Sequence, residues 1–132
     1  MIEEFLTKVC EELEIQVPQK EQDQTFNLII GDTLKVSHKE LTPGLYLHAD
    51  ICRCPITKRA QLLEYLMKAN YLGQGSFGSI IGLDTAEKFL TLTLILQYEI
   101  DYEQYRENLE NFVNALVYWR KEIPEFLKQA KA

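Results

Sequence analysis

The residues that most invite a chemical reading are Gly73, Gly75 and Gly78, which spell G-x-G-x-x-G inside the stretch from Ala69 to Leu83. That stretch holds four of the six glycines in the chain. In a dinucleotide site such glycines follow a strand and open a helix, so that the helix N-terminus can hold pyrophosphate. Here the order is reversed: a helical pattern runs in and a strand pattern runs out. A kinase glycine loop lies between two strands and needs His-Arg-Asp and Asp-Phe-Gly further on. The chain has neither. The stretch therefore reads as a joint, where glycine permits positive φ or close backbone approach.

Cysteine and histidine chemistry fares no better. The three cysteines are Cys10, Cys52 and Cys54, and the only histidines are His38 and His48. An odd cysteine count without a secretion signal does not suggest a disulfide framework. Cys52 and Cys54 point to one face of a strand, but zinc would need two more ligands at suitable spacing. Reduced, partly buried thiols are expected. His48 and Cys52 share a strand face but sit ~13 Å apart along it, too far for a nucleophile and its base. Ser76 and Ser79 lack a nucleophile-elbow pattern. The expectation is no catalytic residue, no metal and no cofactor.

Composition narrows the class further. With 132 residues, 46% of them hydrophobic and 26% charged, the chain is expected to be one globular domain spanning residues 1–132. No run of ~18 apolar residues suggests a membrane span. The acidic start Glu3-Glu4 is unlike a secretory signal, so a cytoplasmic protein is expected. A net charge of −6 argues against nucleic acid, whose phosphates need a Lys/Arg footprint, and suits a basic or unfolded partner.

These residues are positioned by a legible series of elements. Ile2, Phe5, Leu6, Val9, Cys10 and Leu13 form one helical stripe over about residues 2–14. Thr25 to Ile30 reads as a strand, with Gly31-Asp32 as a two-residue hairpin turn. Leu34 and Val36 alternate with Lys35 and Ser37 in the next strand, and Pro43-Gly44 forms a turn. In the third strand Leu45, Leu47, Ala49 and Ile51 share one face. Thr57 suits the N-cap of a second helix ending at the glycines. Ser79–Leu83 and Phe89–Tyr98 read as strands. Asp101 and Gln104 match a capping box for a long helix over 102–122, which Pro124 should end or kink. The order is α-β-β-β-α-β-β-α, an α+β fold with an antiparallel twisted sheet packed by helices.

Three helices and five strands leave more apolar area than one small core covers, and the leucines of the second helix suit packing against a symmetric copy. At this point the chain resembles the class I type III secretion chaperones, the Tir- and SycE-like family. The resemblance rests on the element order and size. Its most specific part is Ala69-Asn70, then Gly73 to Gly78, then Gly82-Leu83-Asp84. Phe112-x-x-x-Leu116-x-x-Trp119-Arg120 in the last helix also fits. Cys52-x-Cys54 has no counterpart in the pattern.

The resemblance implies a non-enzymatic bacterial chaperone, cytoplasmic and homodimeric, that binds the N-terminal segment of one or more effector proteins in non-globular form. Carried over by position, the effector surface would be Ile2, Phe5, Leu6 and Val9 on the first helix with Leu28, Ile30, Leu34 and Val36 on the first strands. The dimer interface would comprise Leu62, Leu63, Leu66, Met67, Asn70, Tyr71, Phe77 and Ile80. An aspartate at position 66 would then split the dimer. A small adaptor domain that binds a folded partner is the alternative reading.

Overall fold

A computed structural model describes residues 1–72 and 78–130. The elements are α1 (Ile2–Leu13), β1 (Phe26–Ile30), β2 (Leu34–Leu41), β3 (Gly44–Arg53), α2 (Arg59–Leu72), β4 (Ile80–Leu83), β5 (Phe89–Leu96) and α3 (Tyr102–Gln129). This is the α+β order expected from the sequence. The five strands form one antiparallel sheet in the order β1-β2-β3-β5-β4. β1 and β4 are its two edges.

The period-2 pattern of the strands makes one sheet face apolar. Leu45, Leu47 and Ala49 of β3 lie opposite Leu96, Leu94 and Leu92 of β5, and all are buried. Leu28 of β1 pairs with Val36 of β2 on the same face. α1 and α3 cover it. Phe5 of α1 stacks on Tyr105 of α3, with ring centroids 5.3 Å apart. Phe112, Leu116, Trp119 and Ile123 continue the α3 stripe into the core.

One buried polar pair ties the layers together. His38 of β2 has Nε2 2.9 Å from the Tyr105 hydroxyl and Nδ1 3.1 Å from the Val36 carbonyl oxygen. Burial lowers the His38 pKa to about 4, against a weaker opposing effect of the Val36 carbonyl. The ring is therefore neutral at pH 7 and fully bonded, as a buried polar group must be.

The turns depart from expectation in instructive ways. The β1–β2 connection is a three-residue loop, because Ile30 pairs directly with Leu34. Gly31 takes φ +64°, and the Thr33 carbonyl is held out of the ladder by Arg120 Nη1 at 2.8 Å. The β2–β3 turn is Thr42-Pro43, and Gly44 already begins β3 opposite Leu41. Gly44 has φ +122°, and a Cβ there would collide with the Leu96 carbonyl oxygen. α2 begins after Lys58, not Thr57: Lys58 has φ +58° and its carbonyl accepts from Leu62 N at 3.1 Å.

α3 shows the capping box as expected. The Asp101 side chain accepts from Gln104 N at 2.8 Å and Gln104 Oε1 accepts from Asp101 N at 2.9 Å. Its far end differs: the helix runs through Pro124 to Gln129. Proline removes one helical hydrogen bond, but Phe126 and Leu127 pack on the core beyond it.

Candidate functional site

Of the residues that first suggested chemistry, the cysteines, the histidines and Gly78 fall among the described residues. Residues 73–77 of the glycine motif lie outside the described residues. Gly78 has φ +86°, with open space where a Cβ would stand. Burial pushes the Cys52 thiol up, neighbouring Cys54 adds to this, and Arg120 opposes it. Burial alone raises Cys10. Thiols held in the protonated form are poor nucleophiles and poor ligands. His48 Nδ1 lies 2.9 Å from Thr93 Oγ1, and its ring stacks on Tyr46. Among the described residues, no group of three or more His, Cys, Asp or Glu is placed to hold a metal.

Among the described residues, two apolar grooves stand out, and neither coincides fully with the residues expected. Six of the eight residues assigned to effector binding are core residues: Ile2, Phe5, Leu6, Val9, Leu28 and Val36 are all buried. The reason is geometric. The α1 stripe has one apolar face, and that face is consumed by the sheet and by α3. Ile30 and Leu34 remain half-buried at the sheet margin.

Ile30 does border an open groove of about 370 Å³, formed where α1, β1 and α3 meet. Val9, Leu13, Leu109 and Val113 supply the rest of its apolar lining, and Glu12 and Arg106 stand on its rim. Glu12 accepts from the Tyr102 hydroxyl at 3.0 Å and lies 3.5 Å from Arg106 Nη1. Leu13 was visible as the last member of the α1 stripe, one turn past where the sheet can cover it. Val113 sits beside Phe112 just off the α3 stripe, so a simple periodicity count overlooks it.

The residues assigned to the dimer interface split between two faces of α2. Leu62 and Leu66 are buried in the core, with Leu66 only 3% exposed. An aspartate at 66 would therefore disrupt the protomer itself, not just a contact between copies. An adjoining, outward face carries Met67 at 69% and Tyr71 at 89% exposure, with Leu63 half-buried. Together with Ala60 they line an apolar groove of about 620 Å³, flanked by the Glu64–Lys68 ion pair. Ile80 of β4 is 58% exposed. Phe77 lies outside the described residues.

Asn70 has a structural role. Its Nδ2 donates to the Ile81 carbonyl at 2.7 Å, and its Oδ1 accepts from Ile81 N at 2.8 Å. The side-chain amide thus pairs with the β4 backbone as another strand would, and fixes the end of α2 against the sheet edge. No helix among the described residues is long and apolar enough to cross a membrane.

The arrangement has clear counterparts. One chain of the ExsC–ExsE complex is similar over 91% of each chain, with a TM-score of 0.69 and 14% identity. A chain of the HopA1–SchA chaperone–effector complex matches with a TM-score of 0.68 and 16% identity, covering 91% of this chain and 93% of that one. A chain of the heterodimeric ExoU–SpcU complex from the type III secretion system of Pseudomonas aeruginosa matches with a TM-score of 0.66 and 15% identity, over 93% and 94% of the two chains. At such identities the likeness establishes the fold. No curated protein matches the chain in sequence. Residues 4–120, however, match the sequence profile of the Tir chaperone protein (CesT) family, a span that reaches into all eight elements. The chain therefore belongs to the Tir chaperone protein (CesT) family.

Proposed function

We propose that the protein is a cytoplasmic, non-enzymatic chaperone of a bacterial type III secretion system. It binds the N-terminal segment of one or more effector proteins and keeps that segment extended and competent for secretion. The observation that carries this reading is the family match over residues 4–120 in a chain whose described residues form separate apolar grooves beside α2 and beside α1. Solved structures of similar fold include one described as a chaperone–effector complex, which supports the same reading.

The two grooves suit two different occupants. The α2 groove, with Leu63, Met67 and Tyr71, is continuous along a helix face, and a second copy of the chain would cover it symmetrically. Ile80 and Phe77 belong to the same proposed interface. The groove bordered by Leu13, Ile30, Leu109 and Val113 receives apolar side chains of the effector segment, with Leu34 nearby on the sheet margin. Ordering a disordered segment opposes binding, so a long, wrapped contact is needed to offset it. The acidic surface, net charge −6, favours a basic or neutral polypeptide over nucleic acid.

Co-expression with the effectors of the native secretion system, followed by limited proteolysis, tests the reading. A bound N-terminal segment that is cleaved rapidly when free and protected in the complex supports it. A partner that keeps its own globular fold in the complex would favour an adaptor domain instead.

A further inference from the structure

The two ends of α2 are held by different partners. At its C-terminal end Asn70 grips Ile81. Over its N-terminal half the contacts come from the C-terminal part of α3. Lys58 Nζ donates to the Leu127 carbonyl at 2.8 Å. The Tyr65 ring lies flat on Phe126, with centroids 4.5 Å apart and planes 3° from parallel. The Tyr65 hydroxyl donates to Glu122 Oε1 at 3.0 Å, and the ring meets Trp119 edge-on.

Phe126 and Leu127 lie beyond Pro124, which has no N–H to continue the helical ladder. One ladder bond is thus missing at Pro124, and the turns beyond it also contact α2 through Lys58 and Tyr65. Glu122, Phe126 and Leu127 also lie after residue 120, where the family match ends. Tyr65 is two residues from both Leu63 and Met67. At about 100° per residue, it stands across the helix from them. A grip on Tyr65 thus fixes the roll of α2 and with it the direction in which Leu63, Met67 and Tyr71 face.

We propose that the segment Pro124–Gln129 is a clamp that sets the orientation of α2 and so preorganises its outward face for a second copy of this chain. The proposal rests on the dimer reading given above. Preorganisation strengthens association by removing ordering losses from the binding step. The clamp makes no contact with the second copy itself; it acts through Tyr65 and Lys58.

The test uses the full chain, Phe126→Ala, Lys58→Met and a chain ending after Ile123. Sedimentation equilibrium reads dimer dissociation, and amide hydrogen exchange reads α2 separately from β3 and β5. The expected result is a dissociation constant raised roughly ten-fold or more, with faster exchange over residues 60–70 and unchanged protection in β3 and β5. A dimeric full chain whose variants dissociate no more readily would overturn the clamp and leave the dimer standing. Lost protection in β3 and β5 as well would also overturn it, because the segment would then be ordinary core. A full chain that is monomeric at ~100 µM, well above the micromolar range of a specific dimer, would overturn the dimer reading and the clamp's purpose with it.

Discussion

Asn70 and Ile81 form a two-bond amide pair, 2.7 and 2.8 Å long, that joins α2 to the edge of the sheet. The pair bridges the two sides of the glycine-rich stretch. It satisfies the N–H and C=O of a buried residue that, on an edge strand, would otherwise lack a ladder partner. The glycine motif is therefore flanked by an anchor that holds helix to strand.

Removing that anchor should be expensive. Asn70→Ala leaves both backbone groups of Ile81 unpaired, and a loss of about 2–4 kcal/mol is expected from two buried orphans. Urea denaturation reads it directly. A loss below ~0.5 kcal/mol, the scale of ordinary surface substitutions, would show that the pair contributes nothing to stability.

Gly44 is the most crowded of the described glycines. Gly44→Ala places a methyl group against the Leu96 carbonyl and forces an L-residue to φ +122°. The β3–β5 ladder must shift, and a loss of about 3 kcal/mol or more is expected from strain and broken pairing. Gly31→Ala meets no neighbouring atom, so a markedly smaller loss is the matched control.

Stability should fall in mild acid because of His38. Its pKa is about 4 in the folded chain, below an unfolded value of about 6.5. The unfolded chain therefore binds the proton more readily. The His38 contribution is complete above pH 6.5 and is lost as pH falls from there toward 4. That window corresponds to about 3 kcal/mol. Chemical denaturation across pH 4–7 should show this slope in the wild type, and His38→Gln should flatten it. An equal slope in both proteins would place the acid sensitivity elsewhere.

The two faces of α2 should respond to charge in opposite ways. Leu66→Asp buries an unpaired carboxylate in the core and should unfold the protomer. Tyr71→Glu leaves the protomer intact, since that side chain is 89% exposed. It should weaken the proposed dimer roughly 100-fold, equivalent to about 3 kcal/mol. Circular dichroism and sedimentation separate the two effects. A fully dimeric Tyr71→Glu protein would move the interface off this face.

Some of this was legible in the sequence and some was not, for reasons visible in particular residues. β3 announced itself because Leu45, Leu47, Ala49 and Ile51 alternate without interruption, and α3 because Asp101 and Gln104 form a capping box. The apolar stripe of α1 was equally clear, but a stripe shows only that one face must be covered. It does not say by what; the effector role of Ile2, Phe5, Leu6 and Val9 comes from the resemblance, and in the structure all four are buried. α2 misled differently. It is apolar on two sides, and periodicity cannot tell the core face of Leu62 and Leu66 from the outward face of Met67 and Tyr71. Pro124 reads locally as a stop, whereas the contacts of Phe126 and Leu127, distant in sequence, carry the helix past it.

The groove beside α1 gives the most direct access to function. Leu13→Asp and Val113→Asp change surface or half-buried side chains and should leave folding nearly intact, with losses within about 1 kcal/mol. Each should weaken effector binding by roughly ten-fold or more by removing an apolar contact and adding a desolvated charge. Calorimetry with a synthetic effector segment reads this. Unchanged affinity in both variants would place the effector on another surface.

The central claim is that this chain holds a partner segment in non-globular form. Amide hydrogen exchange on an effector bound to the wild-type protein measures that most directly. The account predicts an N-terminal effector segment that exchanges freely alone and gains protection along its length in the complex, while the rest of the effector exchanges unchanged. An effector whose N-terminal region is already protected as a folded domain before binding, and stays so in the complex, would contradict it.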